Sequence, residues 1–175
     1  LSLSHSNYSQ SLDPIKTAKP YIKQKPQSFI KARDIGFLGL NSSVSDMAKF
    51  GSAILNQGKL GNKKILSSNQ IRQLLIPQNK DLPLNFDLDV GYMFHYMDGM
   101  YDPSLHGVRN GRTIHQRAIF RFSKDYKLGV VVMSNDSNVS RYLHEMSGRA
   151  LQLAINVNDS SIPRLSKKSV DDDVF

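Results

Sequence analysis

The sequence predicts an α+β fold: an antiparallel sheet flanked by helices. Two strand-like runs carry that reading. Arg117 to Phe122 alternates, with Ala118, Phe120 and Phe122 on one face and Arg117, Ile119 and Arg121 on the other. Leu128 to Ser134 is nearly all apolar and β-branched, as in a central strand buried on both faces. The polar turn Ser-Lys-Asp-Tyr-Lys between them suits a hairpin. The third observation is that helical patterns stand on both sides of this pair.

Residues 1–33 form an extended lead-in, rich in Ser, Lys, Gln and Pro, with Pro14, Pro20 and Pro26 spaced through it. It reads as the continuation of an upstream segment. It contains a Ser-x-x-Lys match, Ser28 to Lys31. On a helix that spacing sets a nucleophilic serine beside a lysine base. Here it follows Pro26 without helical context and reads as chance.

Residues 34–157 form the main lobe. Ser43 and Asp46 make a capping-box start, Met47, Phe50, Ile54 and Leu55 follow at helical spacing, and Gly58 stops the helix. A second helix starts at the capping box Ser67 and Gln70, carries Ile71, Leu74 and Leu75 on its apolar face, and ends at Pro77. Residues 78–90 read as a polar loop, with Asp87 and Asp89 solvated in it. A Gly- and His-rich segment then enters the strand pair; glycines there let the backbone pass close to a ligand. After Asn135, Val139, Leu143, Met146, Ala150, Leu153, Ala154 and Val157 fall on one helical face. Residues 158–175 are a polar tail with an acidic run, Asp171 to Asp173.

The chain has 175 residues, 39% hydrophobic and 22% charged, which is ordinary for a globular domain. It has no cysteine, so neither disulfides nor thiolate chemistry. No apolar run approaches the roughly 20 residues of a transmembrane helix. The net charge is +8, with Lys16, Lys19, Lys23, Lys25, Lys31 and Arg33 early in the chain. A basic face could meet nucleic acid, anionic lipid or an anionic cell-wall polymer. No nucleic-acid motif accompanies it, which argues for a solvated surface. His106 and His115 lie nine residues apart, with His95, Asp98 and Asp102 upstream, but show no close-spaced metal-ligand pattern.

The order of elements resembles a known family. Gly39, Leu40, Ser42, Ser43, Asp46, Met47, Phe50, Gly58, Leu60, Gly61, Leu66 and Ser67 keep the frame of the serine β-lactamase-related proteins. That family includes class C β-lactamases, penicillin-binding proteins and related esterases and peptidases. Gly91-Tyr92, the hairpin ending Val-Val-Val-Met-Ser-Asn and the final helix follow in family order. The resemblance covers roughly residues 34–157 and implies the C-terminal part of the sheet lobe of a β-lactamase/transpeptidase-like fold.

The family's chemistry uses three motifs: Ser-x-x-Lys with the nucleophile, Tyr-x-Asn with a base or proton relay, and His-x-Gly or Lys-Thr-Gly on the cleft strand. This segment corresponds to the part after the second. The resemblance therefore implies an upstream segment or chain carrying the first two, and a small-molecule or peptide substrate. It implies no cofactor and no metal, and a cell-envelope or secreted setting. Counted back from the hairpin, the third motif falls on Arg109-Asn110-Gly111. Arg109 keeps the cation that would hold a substrate carboxylate. An alternative alignment makes His106 the motif residue, with Val108 where Gly is wanted. A second family glycine falls near His115. The substrate-binding set so implied is Arg109, Asn110, Gly111, Thr113 and His115.

The reading is the C-terminal part of a serine hydrolase acting on a β-lactam, a D-amino-acid peptide or an ester, inactive as this chain alone. Two rivals stand beside it. One is a non-catalytic binding module with a degenerate cleft; the other is a basic surface protein for nucleic acid or membrane.

Overall fold

The computed structural model describes residues 1–9, 11–79, 82, 88–97 and 107–158. Phenylalanines set its layers. On β8 (Arg117–Ser123), Phe120 and Phe122 point to one face and Ile119 to the other, and every residue from Ile119 to Ser123 is buried. Phe120 and Phe122 join Phe94, Ile54 and Ile71 in the larger core. Ile119 joins Val108 and Leu143 in the smaller one. The strand predicted to alternate is thus buried on both faces.

Helices close each face. α2 (Val44–Leu55) and α3 (Ser68–Leu75) bring Ile54 and Ile71 to the larger core. α4 (Ser140–Asn158) brings Leu143 to the smaller one, after a single 3-10 turn at Ser137–Val139. A short helix α1 (Ile35–Leu38) precedes α2. Two small ribbons complete the helical part: β1 (Tyr21–Ile22) with β2 (Lys25–Pro26), and β3 (Lys59–Leu60) with β4 (Lys63–Lys64).

The main sheet is antiparallel, in the order β5 (Leu88–Val90), β6 (His95–Met97), β7 (Gly107–Arg112), β8, β9 (Leu128–Ser134). The hairpin β8–β9 pairs Arg117 with Ser134 and Ser123 with Leu128. Its turn puts Lys127 at φ 52°, a left-handed conformation at a non-glycine residue. Two expectations are corrected here. Leu88 to Val90 is an edge strand rather than polar loop, because its backbone pairs with β6. And β9 is not central among the described strands: β8 lies between β7 and β9, while β9 ends the described sheet and is half-buried. Both of its faces meet helices, α2 and α4. Its apolar character reflects that cover, which periodicity cannot distinguish from a place between two strands.

The two capping boxes part company. Ser67 and Gln70 make the full reciprocal box at α3. At α2 only half of it forms: the Ser43 hydroxyl accepts from the Asp46 backbone N–H at 3.2 Å. The Asp46 carboxylate turns instead to the lead-in. It accepts the His5 backbone N–H at 2.7 Å and the Ser6 hydroxyl at 2.9 Å, with Lys49 Nζ at 3.3 Å on its other oxygen. Asp46 is fully buried. Burial pushes its carboxyl up; these hydrogen bonds and the Lys49 charge together pull it below the ordinary range. A backbone bridge between Asn7 and Asn41 runs alongside. Residues 1–9 are therefore docked on the start of α2.

A carboxylate with a depressed pKa contributes stability above its unfolded pKa of about 4, and that contribution is lost as pH falls through the lower folded value. Hydrogen exchange in residues 1–9 should accelerate below about pH 4. In Asp46→Asn it should be fast at neutral pH, with no acid step. A protected lead-in in that variant would show that the carboxylate is not what holds it.

Val131 packs against the larger core from β9. Val131→Asp is expected to destabilise the fold by about 3 kcal/mol or more, because an unpaired charge enters that layer. Melting within about a degree of the parent chain would overturn the burial of this strand.

Candidate functional site

β7 places the candidate residues. It pairs with β8 along its length, Gly107 opposite Phe122, Arg109 opposite Phe120, Gly111 opposite Ala118 and Arg112 opposite Arg117. Directly paired residues share a face, so Arg109 and Gly111 lie on the face of the larger core. Asn110 and Arg112 lie on the face of α4. The only described bridge from β6 is His95 to Val108. Beyond it, Arg109 to Arg112 is exposed and borders no described strand on its outer side. Arg109 has no ion-pair or hydrogen-bond partner among the described residues.

The two glycines of β7 differ. A Cβ on Gly107 would stand 2.5 Å from the Phe122 ring, so packing requires a glycine there. A Cβ on Gly111 would meet only Ala118, at 3.4 Å for the Cβ, an ordinary contact. The fold does not need a glycine at 111. Among the described residues nothing else comes within 4 Å of that Cβ, and Arg109 lies two residues away on the same face.

The other predicted residues divide. Thr113 serves the β7–β8 connection: its hydroxyl accepts the Gln116 backbone N–H at 3.0 Å, and its own N–H donates to Gln116 O at 3.0 Å. His115 sits in that turn, half-buried, its Nδ1 shielded from solvent without a partner among the described residues. His106, Asp87, Asp98 and Asp102 lie outside the described residues. Asp89 is on β5 rather than in a loop. Ser28 to Lys31 runs without helix, so the chance Ser-x-x-Lys match lacks the geometry of a nucleophile and its base.

Sequence reasoning missed a second basic feature at the same end of the sheet. Arg117 donates through Nε to Ser140 Oγ at 2.8 Å, and through Nη1 to the Thr113 and Gln116 carbonyls. Burial, and then the neighbouring Arg112 guanidinium, push Arg117 below its ordinary pKa. The turn is thereby tied to the first residue of α4. Deeper under that helix, Arg121 is buried, with Nε 3.3 Å from Ser147 Oγ. His144 beside it is held below its usual pKa by burial and by the Arg121 charge. The hairpin register alone pairs Arg112 with Arg117; the position of α4 is what adds Ser140.

The chain superposes on a class C β-lactamase with a TM-score of 0.65 at 15% identity, over 86% of this chain and 47% of that one. It superposes on the octameric penicillin-binding protein homologue from Pyrococcus abyssi with a TM-score of 0.68 at 21% identity, over 88% and 34%. This is part of the β-lactamase and penicillin-binding-protein fold. At these identities the likeness is one of fold, and the chain spans less than half the length of either structure. No protein-family model matches the chain, and no curated protein sequence does. The α+β sheet with helices on both faces is the fold class expected from the sequence.

The glycine contrast is testable. Gly107→Ala should lower stability by about 1–3 kcal/mol through overpacking against Phe122. Gly111→Ala should fall within about 0.5 kcal/mol of the parent chain by denaturant unfolding. Equal losses at both positions would show that Gly111 is held by the fold and not left open by it.

Proposed function

We propose that this chain is the C-terminal part of a β-lactamase-related serine hydrolase. Its β7 edge would be one wall of the cleft, and an upstream segment would carry Ser-x-x-Lys and Tyr-x-Asn. The observation that carries this is the pair Arg109 and Gly111. Both are exposed on one face of the strand, and among the described residues Arg109 has no partner and a Cβ on Gly111 would meet only Ala118. The partial β-lactamase fold supports it, since the third family motif falls on these residues when counted from the hairpin.

In that reading Arg109 holds the carboxylate of a β-lactam or peptide by charge-assisted hydrogen bonds. The open backbone of β7 receives the extended part of the substrate as an added strand. The serine hydroxyl of the upstream segment attacks the amide or ester carbonyl, and water releases the acyl group from it. Arg109 and Gly111 position the substrate and take no part in bond making. Alone, the chain lacks the covalent step. The class of carbonyl, whether β-lactam, D-amino-acid peptide or ester, is set by the nucleophile-bearing part.

The binding-module rival shares the Arg109 contact and differs in having no nucleophile anywhere; the basic-surface rival needs no specific contact. Benzylpenicillin, which carries a carboxylate, tests the site by titration. Arg109→Ala should reduce its binding at least about ten-fold, as loss of a charge-assisted contact does. Lys127→Ala removes the same charge from the far hairpin turn and should leave binding unchanged. Stability should change by under ~1 kcal/mol in both variants. Equal losses of binding in both would show that only net charge matters, and the cleft reading would fall. Neither a chromogenic β-lactam nor a p-nitrophenyl ester should be turned over by the chain alone. A stoichiometric serine adduct with a fluorophosphonate probe, located by mass spectrometry, would overturn the assignment of the nucleophile to another segment.

A further inference from the structure

The lead-in is less loose than its composition suggests. It is pinned beside the end of β9. The Tyr21 backbone N–H donates to Asn135 O at 2.7 Å, and the Asn135 side-chain amide donates to Lys19 O at 2.7 Å. Pro20 between them is fully buried, and its carbonyl accepts the Gln27 backbone N–H at 2.8 Å. From this base the ribbon β1–β2 projects, with Tyr21 opposite Pro26 and Ile22 opposite Lys25. Its tip is Lys23 and Gln24, at φ 47° and 64°. Two left-handed residues suit a two-residue hairpin turn, and asparagine and glycine adopt it most readily. Lysine and glutamine hold it here, so the tip carries long polar side chains at some conformational cost.

What the ribbon presents is charge. Residues 14–33 contain Lys16, Lys19, Lys23, Lys25, Lys31 and Arg33 and no acidic residue. All six are exposed. Lys16 lies 3.8 Å from the Asp13 carboxylate; the other five form no ion pair with a described residue. The acid that bridges to Tyr21, Asp136, caps the turn before α4, where its carboxylate accepts the Asn138 backbone N–H at 2.8 Å. A turn upstream presents one apolar side chain. The Asp13 carboxylate accepts the Ile15 backbone N–H at 2.9 Å, and the Asp13 carbonyl accepts the N–H groups of Lys16 and Thr17. Ile15 is thus held in a closed turn, yet is 93% exposed. Four residues of chain, at most about 14 Å, separate it from Lys19. An isoleucine presented this way among lysines has the make-up of an interfacial anchor.

We infer that this basic ribbon, with Ile15 beside it, is a docking surface for an anionic lipid bilayer. The inference is independent of the proposed function: it concerns where the chain is held, not what it cleaves. Lysines at such a surface are attracted by the headgroup charge, each strengthening binding by about five-fold. Ile15 would enter the headgroup region, where its apolar side chain leaves water. A soluble polyanion, such as a nucleic acid, would use the lysines and leave Ile15 in water. The isoleucine is therefore what selects the bilayer over the polymer. Contact of this kind needs no spanning segment, and among the described residues no helix is long and apolar enough to cross a membrane.

Sedimentation of the chain with lipid vesicles tests this. The vesicles are phosphatidylcholine with roughly one-third phosphatidylglycerol, at about 0.1 M salt, against phosphatidylcholine alone. The chain should bind the anionic vesicles at least about ten-fold more tightly. The triple variant Lys19→Gln, Lys23→Gln, Lys25→Gln should lose about a hundred-fold, as three such contacts would. Its control is Lys59→Gln, Lys63→Gln, Lys64→Gln on the β3–β4 ribbon, which removes the same charge and should lose less than about five-fold. Ile15→Gln should weaken vesicle binding about five-fold or more, and leave binding to heparin, a soluble polyanion, unchanged. Every replaced side chain is exposed, so all three variants should keep the fold. No preference for the anionic vesicles would overturn the inference. So would equal losses from the two triple variants, because net charge alone would then bind. If Ile15→Gln binds vesicles as the parent chain does, or loses heparin and vesicles together, the surface serves polyanions and the bilayer assignment falls.

Discussion

Phe120 is the side chain against which the two layers close. It lies under α2 so tightly that a Cβ on Gly51 would stand 2.7 Å from its ring, and one on Gly129 3.0 Å. The absence of two side chains, one on the helix and one on β9, is what lets the ring fill that space. Phe122 stacks at 5.6 Å from it, and Phe94 meets both rings edge-on, at 5.9 and 4.7 Å. Edge-on and offset arrangements suit the charge distribution of aromatic rings and add to what their burial contributes. Gly107 completes the arrangement by making room for Phe122 from β7. Through these contacts the helix, the hairpin and the candidate strand hold one another at fixed spacing.

The position of β7 follows from that packing. With Gly107 pressed on Phe122, the strand continues outward past its last described contact with β6, and Arg109 and Gly111 come to an exposed edge. Tyr96 shows how closed the layer is on the inner side: burial pushes its phenol up to about 12, and its hydroxyl has no partner among the described residues. Along β7 the strand passes from a sealed end, where Gly107 faces Phe122 and Tyr96, to exposed residues from Arg109 onward. A rigid inner end and an accessible outer end are what a binding edge requires.

On the opposite face, polar contacts hold α4 to the sheet. Arg117 reaches Ser140 at the start of the helix and Arg121 reaches Ser147 further along. Both arginines come from the side of β8 that the alternating pattern marked as the second face. Buried guanidinium groups need hydrogen-bond partners, so these contacts fix where along the sheet the helix can sit. The lead-in is fixed in a comparable way, by the Asp46 carboxylate and by Tyr21 beside Asn135.

Local signals by themselves determined much of the fold. Ser67 and Gln70 mark a helix start because capping involves neighbours three residues apart. Alternation fixed which face Phe120 and Ile119 take, and the Ser-Lys-Asp-Tyr-Lys turn fixed the hairpin. Counting back from that hairpin singled out Arg109 and Gly111 with the strand expected to begin near Gly111; β7 instead runs from Gly107 to Arg112 and holds both. Tertiary structure decided the rest. Asp46 forms half a capping box because a distant backbone, His5, competes for its carboxylate. Thr113 and His115 belong to a turn. β9 ends the described sheet, which strand order decides and hydrophobicity does not, since hydrophobicity reports only that a strand is covered. Gly107 and Gly111 are the same letter in the sequence. Only the Phe122 ring crowding one, and an ordinary contact with Ala118 beside the other, makes the first a packing requirement and the second a candidate for binding.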